Sequence, residues 1–284
     1  MRPYSLLLIG ILAACSPVSR RALTKRFVSL ETKLQDHTGF MLYDPDQNKE
    51  LYSFQSDRYF TPASNTKIFT FYTSLVILGD SVPGLRYIEK GDSLIFAGTG
   101  DPSFLYENIY DAGKTFTFLS STNKKLFLAD GNFYTDALGA GWSWDDLPYT
   151  YSSERSALPV YGNYFTLQQT GSVIKTQPAY FSFNITIKDS VSKALLEREL
   201  GSNKINFYPA KLPLKNQWET PFKTSAELTA KLLSDSLKKE VVPIKRILSD
   251  SAKILYSIPA DTLYKEMMQE SDNFIAEQLL LTCA

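Results

Sequence analysis

The sequence predicts a mixed protein of helices and strands, of the α/β (α+β) class. Its 284 residues are 44% hydrophobic, an ordinary globular composition with enough apolar material for a real core. Helical periodicity occurs near both ends of the body of the chain. Between them, residues 86–253 consist mostly of short segments rich in Phe, Tyr, Thr and Val, interrupted by Gly, Pro, Asn and Asp. This strand-rich block is consistent with an inserted domain.

The first predicted elements are a short helix and a hairpin. Residues 27–34 have a helical pattern, and residues 37–44 alternate towards a strand. Asp44-Pro45-Asp46-Gln47 has turn composition, and residues 51–54 would supply the second strand of the hairpin.

The clearest helix signal begins at Thr61. Thr61 can cap a helix and Pro62 suits its first position. A broad apolar face follows and ends at Gly79, and its members are Ile68, Phe69, Phe71, Tyr72, Leu75 and Val76.

The remaining elements follow in the strand-rich block and after it. Strands are predicted at residues 93–97, 126–129, 165–168, 181–188, 241–248 and 253–256. Helices are predicted at residues 225–239 and 261–269, and from residue 273 onwards.

The N-terminus reads as an export signal. Arg2 precedes a short apolar run that ends in Ala13-Ala14-Cys15. This ending resembles the bacterial lipobox, in which the cysteine is lipidated, so residues 1–14 are expected to be a lipoprotein signal peptide. Cys15 would be the lipidation site, anchoring the chain to a membrane through a tether at residues 15–25. The alternative is an ordinary cleaved signal, and both interpretations predict an exported, periplasmic or cell-envelope protein.

Composition excludes several classes of function. The chain carries 30 basic and 30 acidic residues, with no concentrated basic patch, so nucleic acid is not an expected partner. One histidine, His37, and two cysteines cannot form a Cys/His zinc cluster, and neither a metal nor an organic cofactor is implied. A Ser-His-Asp hydrolase is disfavoured because His37 would be its only base and no Gly-x-Ser-x-Gly segment is present.

A Ser-x-x-Lys pair is the best catalytic candidate. The pattern occurs at Ser64/Lys67, Ser121/Lys124, Ser172/Lys175, Ser190/Lys193 and Ser236/Lys239. Only Ser64 is predicted in the first turn of a strongly apolar helix, where backbone N–H groups favour negative charge. Lys67 would lie one turn deeper, where burial against the apolar face of the helix would lower its pKa towards the neutral amine that a base needs. The alternative is an N-terminal serine beside a solvated lysine.

Ser271-Asp272-Asn273 is the second candidate element. It lies between two predicted helices and offers a hydroxyl for proton relay and an amide to orient a substrate. The alternative is a capping motif, since Ser271 or Asp272 suits the N-cap of the last helix.

Ser-x-x-Lys followed by Ser-Asp-Asn is shared by penicillin-binding proteins and class A β-lactamases. This sequence resembles, more specifically, the low-molecular-mass D-alanyl-D-alanine carboxypeptidase/endopeptidase family of penicillin-binding proteins, which places an inserted domain between the two motifs. Four segments carry the resemblance: residues 61–67 (TPASNTK), 98–102 (GTGDP), 156–159 (SALP) and 270–277 (ESDNFIAE).

The resemblance implies a transpeptidase-like domain, at residues 26–85 and 256–284, split by an insertion at residues 86–255. It also implies that Ser64 attacks the stem peptides of peptidoglycan and is acylated by β-lactams. Lys67 would be the general base and Ser271 the proton relay, while Asn273 would bind the substrate backbone. Residues 98–102 are expected to form a tight turn.

The third family motif, Lys-Thr-Gly or His-Thr-Gly, follows Ser-Asp-Asn in the family. Residues 274–284 do not contain it, and His37-Thr38-Gly39 precedes Ser64. The sequence is therefore expected to be C-terminally truncated, without the last part of the sheet. The alternative function is that of a non-catalytic envelope lipoprotein that binds peptidoglycan or a partner.

Overall fold

The protein is described by a computed structural model that covers residues 19–107, 109, 113–210 and 216–284. The chain divides into two compact units, of which the first ends at Ala63 and the second begins at Ser64. Both units contain helices and strands, which confirms the mixed class.

The first unit consists of α1 (Arg20–Leu34) and an antiparallel hairpin of β1 (Phe40–Asp44) and β2 (Lys49–Phe54). The hairpin was predicted. α1 begins earlier than the sequence suggested, because the Ser19 side chain caps it by accepting a hydrogen bond from the backbone N–H of Ala22. Residues 20–25, part of the expected tether, are therefore helical.

A 3₁₀ turn, Ala63–Thr66, leads from the last residue of the first unit into the second unit, where α2 (Lys67–Ile77) follows. The predicted helix start at Thr61 and Pro62 is wrong. Ala63 has φ +43°, a left-handed conformation that interrupts the helical backbone before Ser64. Ser64 consequently lies in the turn before α2, and Lys67 is the first residue of the helix.

The buried side of α2 is its polar side. Lys67, Thr70 and Ser74 are buried, whereas the predicted apolar face is largely exposed, with Phe69 73% accessible. Phe71 is the exception, since its ring packs edge-on against Tyr264 at 5.2 Å. The apolar pattern located the helix correctly, but the expectation that its apolar face would bury Lys67 is wrong.

The rest of the second unit alternates strands and helices. In chain order its elements are β3 (Ser81–Lys90), β4 (Ser93–Gly98), α3 (Gly113–Ser121), β5 (Lys125–Ala129), β6 (Tyr164–Thr170), β7 (Val173–Gln177), β8 (Ile185–Ile187), β9 (Leu195–Arg198), β10 (Ile205–Tyr208), β11 (Asn216–Pro221), α4 (Ala226–Leu237), β12 (Val241–Ile244), β13 (Lys253–Pro259), α5 (Ala260–Gln269) and α6 (Asn273–Cys283). α3 was not predicted, and a 3₁₀ turn at Ala179–Asn184 replaces the first half of the strand predicted at residues 181–188.

Three sheets hold these strands. The largest has the order β12-β5-β4-β3-β13, with β12, β5 and β4 parallel and β3 antiparallel to both of its neighbours. Two three-stranded sheets have the orders β11-β6-β7 and β8-β10-β9. Because Arg86 pairs with Ile254 in β13, the two ends of the segment predicted as an insertion lie side by side. Its boundaries, residues 86 and 255, stay a prediction.

The helices α5 and α6 contribute side chains to an apolar core of the second unit. Buried side chains in this core include Val82, Ile258, Leu263, Met267, Ile275 and Leu279. α2 packs beside α6. Within the described part of the chain, none of the helices has the length and apolar character that crossing a bilayer requires.

Candidate active site

Ser64 and Lys67 face each other at the start of α2. They are three positions apart in the sequence, so the turn places both side chains on one side of the backbone. Lys67 Nζ lies 3.3 Å from Ser64 Oγ, within hydrogen-bond distance of a hydroxyl that an amine base would have to deprotonate.

Ser271 and Asn273 join this pair from the start of α6. Ser271 Oγ donates a hydrogen bond to Ser64 Oγ at 2.8 Å. Lys67 Nζ also donates to Ser271 Oγ, at 3.4 Å, and to Asn273 Oδ1. The structure thus gathers the four side chains that the sequence analysis selected, although about two hundred residues separate the two pairs. Their roles in catalysis stay predictions.

Burial shapes the electrostatics of the cluster. Lys67 is only 7% exposed, and burial lowers the pKa of its amine because the charged form loses solvation. The negative charge of Asp272 acts in the opposite direction and raises the pKa of Lys67. The net result is a lowered pKa, so the neutral amine is present at a lower pH than for a solvated lysine.

The backbone around the cluster is strained on both sides. Ala63, which precedes Ser64, has φ +43°, and Ser271 itself has φ +58°. Non-glycine residues in this region cost free energy and are concentrated at functional sites. Ser64 also lies at the N-terminal end of α2, where the helix dipole favours a developing negative charge.

Asp272 performs the capping role that the sequence left as an alternative. Its Oδ1 accepts a hydrogen bond from the backbone N–H of Ile275 at 2.8 Å and so caps α6. Its Oδ2 accepts a hydrogen bond from the Tyr106 hydroxyl. Sequence reasoning did not find Tyr106, because a single tyrosine in a long loop carries no spacing signal.

The other candidates of the sequence analysis lie elsewhere. Lys124 and Lys239, from two of the remaining Ser-x-x-Lys patterns, donate to backbone oxygens of Gly91 and Thr122. His37 lies in the first unit, in the segment between α1 and β1. Its ring stacks on the ring of Phe60. Cys15 lies outside the described residues.

A serine beside a buried lysine, with a second serine and an asparagine from another helix, is the set of side chains that Ser-x-x-Lys acyl-transfer enzymes use. Residues 23–284 match the D-Ala-D-Ala carboxypeptidase 3 (S13) family. The chain belongs to this family of serine-type D-alanyl-D-alanine carboxypeptidases, which confirms the resemblance seen in the motifs.

Three curated relatives are similar in sequence. The chain is 30% identical over 156 residues to penicillin-sensitive carboxypeptidase A of Dictyostelium discoideum, and 28% identical over 172 residues to a D-alanyl-D-alanine carboxypeptidase of Actinomadura sp. (strain R39). These matches cover 46% and 54% of this chain, and 30% and 32% of the relatives. The D-alanyl-D-alanine carboxypeptidase DacB of Haemophilus influenzae is 24% identical over 283 residues, covering 87% of this chain and 59% of DacB.

Two crystal structures share the fold. Penicillin binding protein 4 (dacB) from Haemophilus influenzae superposes with a TM-score of 0.64 at 21% identity, covering 87% of this chain and 62% of that one. The same protein in complex with a β-lactam gives a TM-score of 0.57 at 18% identity, covering 89% and 63%. The chain therefore shares the fold of these two structures, and it spans less than two thirds of their length.

Proposed function

We propose that this protein is a serine-type D-alanyl-D-alanine carboxypeptidase/endopeptidase that cleaves peptidoglycan stem peptides through an acyl-enzyme on Ser64. The observation that carries the proposal is the contact of Ser64 Oγ with both Lys67 Nζ, at 3.3 Å, and Ser271 Oγ, at 2.8 Å. Membership of the S13 family supports the reaction class, and the motif order supports the choice of residues.

In the proposed acylation, the neutral amine of Lys67 removes the proton of Ser64 as the serine oxygen bonds to the carbonyl carbon of the penultimate D-alanine. The backbone N–H of Ser64 stabilises the resulting oxyanion. When the tetrahedral intermediate collapses, the C–N bond breaks and Ser271 donates its proton to the leaving amine of the terminal D-alanine. Ser271 receives in exchange the proton that Lys67 took from Ser64, so the amine of Lys67 is neutral again. Water then hydrolyses the ester and restores Ser64.

Asn273 is proposed to orient the substrate backbone. Its Oδ1 accepts a hydrogen bond from Lys67, so the same side chain would connect the base to the bound peptide. β-Lactams would enter the same path, because attack of Ser64 on the lactam carbonyl opens the ring and leaves a covalent adduct on the serine.

The proposed location is the cell envelope. The signal pattern of residues 1–14 supports export, and the cysteine at position 15 supports a lipid anchor. Fractionation of cells that express the full-length protein tests both: Cys15→Ala should move the protein from the membrane to the soluble fraction. An unchanged membrane fraction would contradict the anchor.

Labelling with a fluorescent penicillin, followed by peptide mapping, tests the catalytic proposal. The full-length protein should carry one adduct, on Ser64, and Ser64→Ala should abolish it. Ser121→Ala is the matched control, because Ser121 belongs to another Ser-x-x-Lys pattern on an exposed helix end, and it should label normally. Label on another serine, or no label, would refute the proposal. Binding of stem peptide without turnover would favour the non-catalytic alternative.

A further inference from the structure

Gln278 is a fully buried polar residue in the middle of α6. Its exposed fraction is 0%, yet its neighbours on the helix, Ala276 and Leu279, belong to an apolar core. An apolar side chain at this position would avoid the cost of desolvating an amide. The amide therefore has a specific set of partners that offset this cost.

The partners of Gln278 are backbone groups of two segments. Its Nε2 donates to the carbonyl oxygen of Gly100 at 2.7 Å and to that of Ser156 at 3.0 Å. Its Oε1 accepts a hydrogen bond from the backbone N–H of Ser156 at 3.0 Å. One amide thus uses both donors and its acceptor. Its removal would leave the buried carbonyl of Gly100 and the partly buried backbone groups of Ser156 without these partners.

These two segments belong to residues 98–102 and 156–159, two of the segments that carry the family resemblance. Neither has a role in the proposed catalytic steps. They are joined backbone to backbone, since the Gly100 N–H donates to the Ala157 carbonyl oxygen at 2.7 Å. A Cβ at Gly98 would lie 2.1 Å from the same oxygen, which only glycine avoids. The segments therefore form a close-packed backbone platform, and Gln278 is the side chain of α6 that binds it.

The platform is connected to the active site through α6. Asn273 is the first residue of this helix, and Gln278 lies five residues further, about one and a half turns away. An ion pair beside Gln278 makes a second connection between α6 and this part of the chain: Arg155, which precedes Ser156, lies 3.2 Å from the carboxylate of Glu277. Because a helix is stiff over one or two turns, hydrogen bonds that hold its second turn also hold its first turn in place. The platform therefore determines the positions of Asn273 and of Ser271, which precedes the helix.

We propose that Gln278 is a positioning residue, whose buried amide holds α6 against the backbone of Gly100 and Ser156 and thereby places Ser271 and Asn273 against Lys67. This inference rests on the proposed function for its catalytic consequence. A displacement of about 1 Å in such a site can lower a rate about a hundredfold.

Gln278→Met in the full-length protein tests the proposal, because it keeps the length of the side chain and removes all three hydrogen bonds. The acylation rate constant with a fluorescent penicillin, measured below the unfolding range, should fall about tenfold or more, with a much smaller change in the dissociation constant of the first complex. Leu279→Ala is the control, since it removes buried apolar contacts of the adjacent residue. It should lose thermal stability but acylate within about threefold of the wild type. Equal rates for Gln278→Met and the wild type would overturn the proposal.

Gln278→Glu should make the acylation rate depend on pH in a way that a change in side-chain volume alone would not. Burial raises the pKa of a carboxyl, and the protonated form can donate one hydrogen bond to a carbonyl oxygen, whereas the ionised form donates none. The ratio of the variant rate to the wild-type rate should increase as the pH falls. Lys67 protonation affects both proteins equally, so it cancels in the ratio. A ratio that does not change with pH would contradict the proposed role of the Gln278 Nε2 donor.

A readout without catalysis separates this proposal from the proposed function. The Ile275 N–H, bonded to Asp272 in the first turn of α6, should exchange with solvent deuterium faster in Gln278→Met than in Leu279→Ala. If the wild type is not acylated, the proposed function fails, and the exchange result still decides whether Gln278 positions the turn. Equal exchange in the two variants would overturn the positioning role.

Discussion

The charge of Asp272 is predicted to set the pH at which Ser64 becomes reactive, and Asp272→Asn tests this control. The carboxylate raises the pKa of Lys67, against the larger lowering effect of burial. Without the charge, burial acts alone and the pKa of Lys67 falls further. Because the neutral amine is the active form of the base, the rise of the acylation rate with pH should move to lower pH in the variant.

The stability cost follows from the two hydrogen bonds that Asp272 accepts. Asparagine caps a helix as well as aspartate does, so the bond from the Ile275 N–H survives. The bond from the Tyr106 hydroxyl loses its charged acceptor, which costs about 1.5–3 kcal/mol. At roughly 2–4 °C per kcal/mol for a chain of this size, the Tm should fall by about 3–12 °C.

Tyr106→Phe is the matched variant, because it breaks the same hydrogen bond and leaves the charge of Asp272 in place. Its ring can keep its edge-on contacts with Tyr164 and Phe274, both at 6.1 Å. The two variants should lose similar stability, and the double variant should lose little more than either, since they share one interaction.

The assay is the pH profile of penicillin acylation for the wild type and the two variants, with thermal unfolding measured on the same preparations. Only Asp272→Asn should shift the rise of the rate to lower pH. A profile that stays in place, or moves to higher pH, while Ser64 is still labelled would refute the assigned electrostatic role. A shift of equal size in Tyr106→Phe would show that the hydrogen bond, rather than the charge, controls Lys67.

Two further predictions concern stability. Burial raises the pKa of the Asp101 carboxyl, so the folded state keeps the proton to a higher pH than the unfolded chain does. The free energy of unfolding should therefore fall as the pH rises from the ordinary aspartate value of about 3.9 towards the pKa of the folded state. Asp101→Asn removes this dependence, and its Tm relative to the wild type should therefore increase as the pH rises above about 4; parallel Tm curves would contradict this. Ser225 caps α4 by accepting a hydrogen bond from the Leu228 N–H at 3.1 Å, so Ser225→Ala should cost about 0.5–2 kcal/mol in denaturant unfolding without changing the rate of penicillin acylation.

Local patterns predicted the part of the site that lies within one turn of chain. The spacing of Ser64 and Lys67 placed both on one side of a helical turn, and their contact follows from that spacing. The contact with Ser271 joins positions separated by 207 residues. No periodicity describes such a contact, so only the family resemblance brought Ser271 and Asn273 into the same site.

Burial was the property that the sequence described least well. The apolar residues of α2 repeat with helical spacing, but a pattern does not specify which surface meets the rest of the protein. Phe69 is exposed while Lys67 and Ser74 are buried. The sequence also did not predict the backbone conformation of Ala63. Thr61 and Pro62 satisfy the local rules for a helix start, but Ala63 has a positive φ, which those rules do not describe.

The arrangement of α6 explains why residues far from the reacting groups belong to the same functional unit. Asp272, Asn273 and Gln278 lie within seven consecutive residues, and each meets a different part of the fold: the Tyr106 hydroxyl, the Lys67 amine, and the backbone of Gly100 and Ser156. A short helix is stiff over this length, so a change at any one of these contacts is transmitted to the other two. Substitutions in residues 98–102 should therefore change the acylation rate through the position of α6, although none of these side chains needs to touch the substrate.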